Sequence, residues 1–227
     1  MGLVSVLRGH EKEVWTAAFD SSGRRVFSGG VDGAVRSWDW SAGTNRVLDR
    51  HDGEVVGLAV SRDGRRLASA ATDGTIRVAD TGGETKPVVL RGHERVVWSA
   101  EFSPDGRRLA TGGQDGTVRI WPVSGRGEPL VLRGHQNMVW SVAFSPDGRW
   151  VAGTGHDGTA RIWRTDVVAP PMTVDGFAAT VESVEFSPEG PLLATAHGDG
   201  TVRLWRCTAC EPIDDLLTRV DRRFAGE

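Results

Sequence analysis

Residues 92–121 read GHERVVWSAEFSPDGRRLATGGQDGTVRIW. The run divides into pieces with different physical demands. Val97-Trp98-Ser99-Ala100-Glu101-Phe102 is a short β-favouring segment, because branched and aromatic side chains suit a pleated, half-buried surface. Ser103-Pro104-Asp105-Gly106 follows. Proline presets φ for a turn and glycine accepts a positive one. Arg108-Leu109-Ala110-Thr111 is a second β-favouring run, and Asp115-Gly116 after it is a hairpin signal. From Thr117 to Trp121 the pattern alternates, with Val118 and Ile120 on one face and Arg119 on the other. A fourth run, Leu130-Val131-Leu132, leads into Gly134-His135, where the pattern restarts. This predicts a four-stranded antiparallel unit of about 42 residues.

The unit recurs along the chain. Asp-Gly pairs stand at Asp32-Gly33, Asp73-Gly74, Asp115-Gly116, Asp157-Gly158 and Asp199-Gly200, in steps of 41, 42, 42 and 42. Twenty-two residues before each Asp lies His10, His51, His93, His135 or Phe177. Starting from Leu90 and from Leu132, 21 of 32 successive positions are identical. A fixed period of this size marks a repeat architecture, here with units near 10–50, 51–92, 93–134, 135–176 and 177–206.

Composition agrees with a turn-rich repeat. The 227 residues hold 30 Gly and 9 Trp but no Tyr, so one motif has been copied. Apolar residues at 39% allow a core and argue against full disorder. Two cysteines exclude a disulfide-built scaffold. A net charge of -3 excludes a globally basic nucleic-acid binder. The first seven residues lack the basic start and apolar length of a signal peptide. No apolar run approaches a membrane span. Val6 stands where a myristoylation signal needs Ser or Thr. A cytoplasmic chain is expected. Only Lys12 and Lys86 are lysine among 27 basic residues, a bias expected of a GC-rich bacterial source.

The Gly-His, Ser-Pro-Asp-Gly and Asp-Gly-Thr-Val-Arg-Ile-Trp pattern resembles the WD-repeat (tryptophan-aspartate repeat) β-propeller family, in its bacterial form, over roughly residues 4–205. The terminal dipeptide is intact only at Trp38-Asp39. Ala79-Asp80 has lost the Trp, while Trp121-Pro122, Trp163-Arg164 and Trp205-Arg206 have lost the Asp. The resemblance implies an all-β ring of four-stranded blades around a channel. Residues 4–7 count as one strand, four full units as sixteen and the last unit as three, which makes five blades. The family often closes its ring by pairing an N-terminal strand with the last three, so residues 4–7 are expected to complete the fifth blade. That would remove two exposed edges. The family mostly builds seven blades, so three arrangements stand open: a closed five-blade ring, a larger ring shared by two chains, or part of a longer propeller. Residues 1–206 form the propeller in this reading. Residues 207–227 form a tail whose Pro212, Asp214, Asp215, Leu216, Leu217 and Val220 suggest a short amphipathic helix.

Several constellations imitate chemistry. His10, Ser28 and Asp32 look like a hydrolase triad, as do His51, Ser69, Asp73 and His93, Thr111, Asp115. The resemblance implies a structural reading instead: loop His, strand Ser or Thr, turn Asp and third-strand Trp form a buried hydrogen-bonded network. Trp38, Trp121, His135, Asp157, Trp163, Thr195, Asp199 and Trp205 supply its remaining members. Five triads in one small ring make no sense as catalysis, and no enzyme is expected. The network is expected complete in units one and three. Unit two has Ala79 for Trp, unit four Gly153 for Ser/Thr, and unit five Phe177 for His. The G-x-G-x-x-G run at residues 153–158 lies in a hairpin rather than between strand and helix, which a dinucleotide site requires. Cys207 and Cys210 form a lone C-x-x-C; zinc needs two more ligands, so spare thiols are expected, with no metal and no cofactor. An enzyme at the channel mouth would have only Glu13, Glu54, Glu182 and His156 to draw on.

The resemblance also implies where a partner binds: the top rim, through three positions per blade. The first set is Trp15, Val56, Trp98, Trp140 and Glu182. The second is Glu13, Glu54, Val96, Met138 and Thr180, and the third is Val31, Thr72, Gln114, His156 and Gly198. Recurring Trp suits interface hot spots, although the same Trp could pack between blades. The expectation is a non-catalytic scaffold holding a protein segment through Trp15, Trp98, Trp140, Met138, Val56, Glu182, Glu13, Glu54, Gln114 and His156. The alternative is a sensor propeller detached from a larger bacterial NTPase or kinase signalling protein. Arginines beside the Ser-Pro-Asp-Gly turns (Arg24, Arg25, Arg65, Arg66, Arg107, Arg108, Arg149) read as turn solvation. No nucleic acid or membrane partner is expected, and self-association through open propeller ends is allowed for.

Overall fold

The structure, a computed structural model, describes residues 2, 4–175, 179–190, 192–207 and 210. The first blade holds β1 (Val14–Phe19), β2 (Arg25–Gly30), β3 (Ala34–Asp39) and β4 (Thr44–Arg50). The second holds β5 (Val55–Val60), β6 (Arg66–Ala71), β7 (Thr75–Asp80) and β8 (Val88–Arg91). The third holds β9 (Val97–Phe102), β10 (Arg108–Gly113), β11 (Val118–Pro122) and β12 (Leu130–Leu132). The fourth holds β13 (Val139–Phe144), β14 (Trp150–Gly155), β15 (Ala160–Arg164) and β16 (Met172–Val174). The fifth holds β17 (Val181–Phe186), β18 (Leu192–His197) and β19 (Val202–Arg206). Each sheet is an antiparallel meander in chain order.

The turns behave as their residues dictate. At the hairpin between β10 and β11, Gly116 has φ 73° and its N–H donates to the Gly113 carbonyl. The Asp115 carboxylate accepts the amide and hydroxyl of Thr117 and holds the turn shut. Between β9 and β10, the Gly106 N–H donates to Ser103, whose hydroxyl donates to Asp105.

Blades pack through small and branched residues. Val118 on β11 and Val139 on β13 share one core, Ile76 and Val97 another, Val35 and Val55 a third. A Cβ placed on Gly112 would lie 2.7 Å from Val139 Cγ1, so glycine there is a condition of the close approach. The inner strands are also laced by polar contacts. Ser99 Oγ accepts the Val142 N–H at 3.3 Å, and Ser141 Oγ accepts that of Val184 at 3.4 Å. Glu101 Oε2 accepts the Phe144 N–H at 2.6 Å.

Two expectations are corrected. Residues 4–7 form no strand and do not complete the fifth blade, which has three strands among the described residues. Val4, Ser5 and Leu7 instead line a hollow with Phe19, Val26 and Trp40 of the first blade. The physical reason is the packing order: β1 lies on β5, β5 on β9, β9 on β13 and β13 on β17, and no comparable packing returns from β17 to β1. Among the described residues the five blades form an open array, with no packing of the fifth blade on the first comparable to that between successive blades. Cys207 and Cys210 are not spare thiols. They are joined as a disulfide and buried with Phe186, Leu193, Ile162 and Trp205 in the core between the last two blades. The expected tail helix and Phe177 lie outside the described residues.

Candidate binding rim

The triad look-alikes fall where the repeat places them. In the first blade, His10 Nδ1 meets the Asp32 carboxylate at 2.9 Å and Nε2 meets Ser28 Oγ at 2.7 Å. The Trp38 indole donates to the same hydroxyl at 2.7 Å. The third blade repeats the chain through Asp115, His93, Thr111 and Trp121 at 2.9, 2.8 and 2.8 Å. In the second blade His51 meets Asp73 at 3.2 Å and Ser69 at 2.8 Å, with Ala79 in place of the indole. Burial holds Asp115 up, but the His93 ring together with the Thr117 hydroxyl and amide outweighs it and keeps the carboxyl well below its usual range. Asp157 is held low in the same way by His135, Gln136 and Thr159 against its burial. Burial lowers His51 despite the Asp73 charge. Thr111 is 0% exposed. A nucleophile must reach its substrate, so this chain of bonds is internal scaffolding.

Two of the incomplete units are repaired by other groups. In the fourth blade Gly153 supplies no hydroxyl, and His135 Nε2 lies 3.2 Å from the Gly153 carbonyl instead. The Trp163 indole donates to the Arg133 carbonyl at 3.2 Å. His135 keeps Asp157 at 3.0 Å. In the fifth blade Thr195 Oγ1 accepts from Trp205 at 2.9 Å and pairs with His197 Nε2 at 2.8 Å. Asp199 caps its own turn on Thr201. Sequence reading missed His197. Its counterpart Gly113 has no room for a side chain, since a Cβ there would meet the His93 ring. The signal was present: a strand His appears where the other units carry only Gly30, Ala71, Gly113 and Gly155, in the one unit that has lost its loop His.

The rim positions are joined by one repeated bond. The N–H of Val31, Thr72, Gln114, His156 and Gly198 donates to the carbonyl of Glu13, Glu54, Val96, Met138 and Thr180 respectively, at 2.8–3.0 Å. Two of the three predicted sets therefore meet in every blade. The Trp set divides. Trp98 and Trp140 are half-buried and stack with centroids 4.7 Å apart, and His156 lies 6.4 Å from Trp140. Neither indole N–H finds an acceptor. Trp15 is 61% exposed. Val56, Glu54, Met138 and Gln114 are half-buried, while Glu13, Glu182 and His156 are exposed. Glu182 accepts the Thr180 hydroxyl.

The turn arginines do more than solvate turns. Arg25 donates to the Thr81 carbonyl, Arg66 to Gly106, and Arg108 to Thr165 and Gly148, each in the following blade. Arg24, Arg65, Arg107 and Arg149 are exposed. Among the described residues no three His, Cys, Asp or Glu side chains are grouped to hold a metal.

Repeated antiparallel sheets, carrying the His–hydroxyl–Trp relay, a repair of it or, in the second blade, its His–hydroxyl part, define a β-propeller repeat protein. The chain belongs to the WD domain, G-beta repeat family, whose model matches residues 1–39, 43–80, 85–122, 128–164 and 169–206. No curated protein matches it. Among solved structures it is similar to a chain in the crystal structure of a mitotic checkpoint complex, at 26% identity and a TM-score of 0.77, over 85% of this chain and 60% of that one. It thus spans 60% of that chain's length. WD-repeat propellers generally mediate protein–protein interaction and are typically non-catalytic.

Proposed function

We propose that this propeller is a non-catalytic scaffold that holds a protein segment on the rim formed by Trp15, Trp98, Trp140, Met138, Gln114 and His156. The observation that carries this reading is the Trp98–Trp140 stack, whose two shielded indole N–H groups have no acceptor. An unpartnered buried donor costs about 1–3 kcal/mol. A partner carbonyl or carboxylate reached by a small turn of either ring would recover it. Stacked blades hold these side chains in place, so binding needs little further ordering. Exposed Glu13 and Glu182, with half-buried Glu54, favour a segment that also carries a basic residue. The test is combined Trp15→Ala, Trp98→Ala and Trp140→Ala substitution, with partner capture and thermal unfolding measured together. Capture should be lost while the fold persists; undiminished capture removes the rim from the binding surface.

A further inference from the structure

We infer that a polar hollow between the first and second blades binds a small zwitterion, a free α-amino acid. Arg25, Ser37, Asp39, Arg46 and Glu84 are among the residues that line it. Arg25 opens β2 and Asp39 closes β3, so the hollow lies at the strand ends opposite the Gly33 hairpin and away from the proposed rim. Two cross-strand rows build its floor. Arg25 pairs with Asp39 and Asp39 with Thr44; in the next row Phe27 pairs with Ser37 and Ser37 with Arg46. Three other blades fill the Ser37–Arg46 position with apolar pairs: Val78 with Val88, Ile120 with Leu130 and Ile162 with Met172. Ser37 is 6% exposed, much like Val78, Ile120 and Ile162, yet its hydroxyl makes no hydrogen bond among the described residues. Phe27 stands where those blades have Ala68, Ala110 and Ala152, and takes up the lost volume. Packing therefore accounts for a small residue at 37, but for neither its hydroxyl nor the Arg46 guanidinium.

The charges point to the ligand. Arg25 Nη1 and Arg46 Nη2 both donate to the Thr81 carbonyl at 3.1 Å, and Arg46 also donates to the Gly82 carbonyl. Two guanidiniums are thus held at one backbone oxygen, and among the described residues neither has an ion-pair partner. Like charges this close repel. A carboxylate between them relieves the repulsion and takes the paired N–H groups that guanidinium offers, with the Ser37 hydroxyl as a neutral donor. Asp39 and Glu84 line the same hollow and are likewise without an ion-pair partner among the described residues. Asp39 Oδ1 is occupied by the Ser41 and Ala42 turn, which leaves Oδ2 for a ligand. Two positive and two negative side chains share one hollow. A dianion such as phosphate would be repelled by the carboxylates, and a simple cation by the guanidiniums. A molecule with a carboxylate and an ammonium group satisfies both ends: the carboxylate takes Arg25, Arg46 and Ser37, and the ammonium takes Asp39 and Glu84.

The test screens the standard amino acids one at a time against the full chain by saturation-transfer NMR, with titration calorimetry on each that binds. At least one should bind saturably. Arg46→Ala and Glu84→Ala each replace an exposed side chain, so folding should survive, which circular dichroism verifies. Each should weaken binding roughly tenfold or more, as loss of a hydrogen bond to a charged group does. Acetate, methylamine and inorganic phosphate are titrated as single-charge-type probes, and each should bind at least roughly tenfold more weakly than the amino acid. The inference is overturned if no amino acid binds, or if either variant binds as the wild type does. It is also overturned if acetate or phosphate matches the amino acid, since the Asp39 and Glu84 end would then play no part.

Discussion

Trp98 and Trp140, one repeat apart, stack across the junction of the third and fourth blades with their ring planes tilted by 47°. The contact ties an element of the proposed binding rim to the packing of the array. Trp15, at the same repeat position in the first blade, is left exposed. A residue type copied by duplication thus has two environments: Trp98 meets Trp140 of the following blade, whereas the blade that follows Trp15 carries Val56 at that position.

A double-mutant cycle on Trp98 and Trp140 should return a coupling of about 1 kcal/mol, the value of an aromatic pair beyond its buried area. Trp15→Ala should change stability by less than about 0.5 kcal/mol, as exposed positions do. Urea unfolding measures both.

Thr111→Val should cost about 2–3 kcal/mol, because it leaves the Trp121 indole without its acceptor and His93 without its hydroxyl inside a dry network. His93→Ala should cost at least as much. If either variant unfolds at the wild-type denaturant midpoint, the network contributes nothing to stability.

Glu101 is pushed up to about 7, first by burial and further by the Glu185 charge, against the Phe144 N–H that lowers it. A raised carboxylic acid favours the folded state while protonated. That contribution is complete below the unfolded value of 4.5 and is lost as pH rises through about 7. The loss is about 3 kcal/mol on the linkage scale. Glu101→Gln keeps an acceptor for Phe144 without the charge. It should match the wild type at pH 4 and exceed it at pH 8; equal stability across that range would count against the assignment.

Asp115 has the opposite sign. Its carboxyl is held low, so its contribution is present above the ordinary carboxylate range and is lost as pH falls through the folded value. Asp115→Asn should destabilise the chain at pH 7 and flatten its acid unfolding limb. A titration followed by tryptophan fluorescence distinguishes the two slopes.

Closing a loop as short as Cys207–Cys210 restricts the unfolded chain by about 2 kcal/mol. The Cys207→Ser and Cys210→Ser pair should lower stability by that order and abolish the difference between oxidised and reduced protein in thermal scans. An unchanged melting temperature with and without reductant in the wild type would show that the bond is not formed in solution.

Much of the architecture was legible in order along the chain. Asp115-Gly116 and its repeats announce the hairpins, because a positive φ in a tight turn leaves few residue choices. The His–hydroxyl–Asp chain could be traced through three units, since its members recur at constant spacing. What was not legible involves positions with no constant spacing. His197 takes the place of a loop histidine from a strand, and the Cys207–Cys210 bond gains its burial from Phe186 and Leu193 in the fifth blade. The second arginine of each turn pair read as solvated, yet Arg108 reaches the carbonyls of Gly148 and Thr165 in the next blade.

The amino-acid sequence alone determined five units, their strands and their turns, because each sheet is an antiparallel meander whose hydrogen bonds join neighbouring segments. Whether the first and last blades meet was decided only by tertiary structure. Closure depends on the small rotation between successive blades, set by how residues such as Gly112 and Val139 approach, and that rotation sums over the array. No single residue encodes the sum. Val14 and Val202 therefore look like their buried counterparts in every local respect and still end up on open faces.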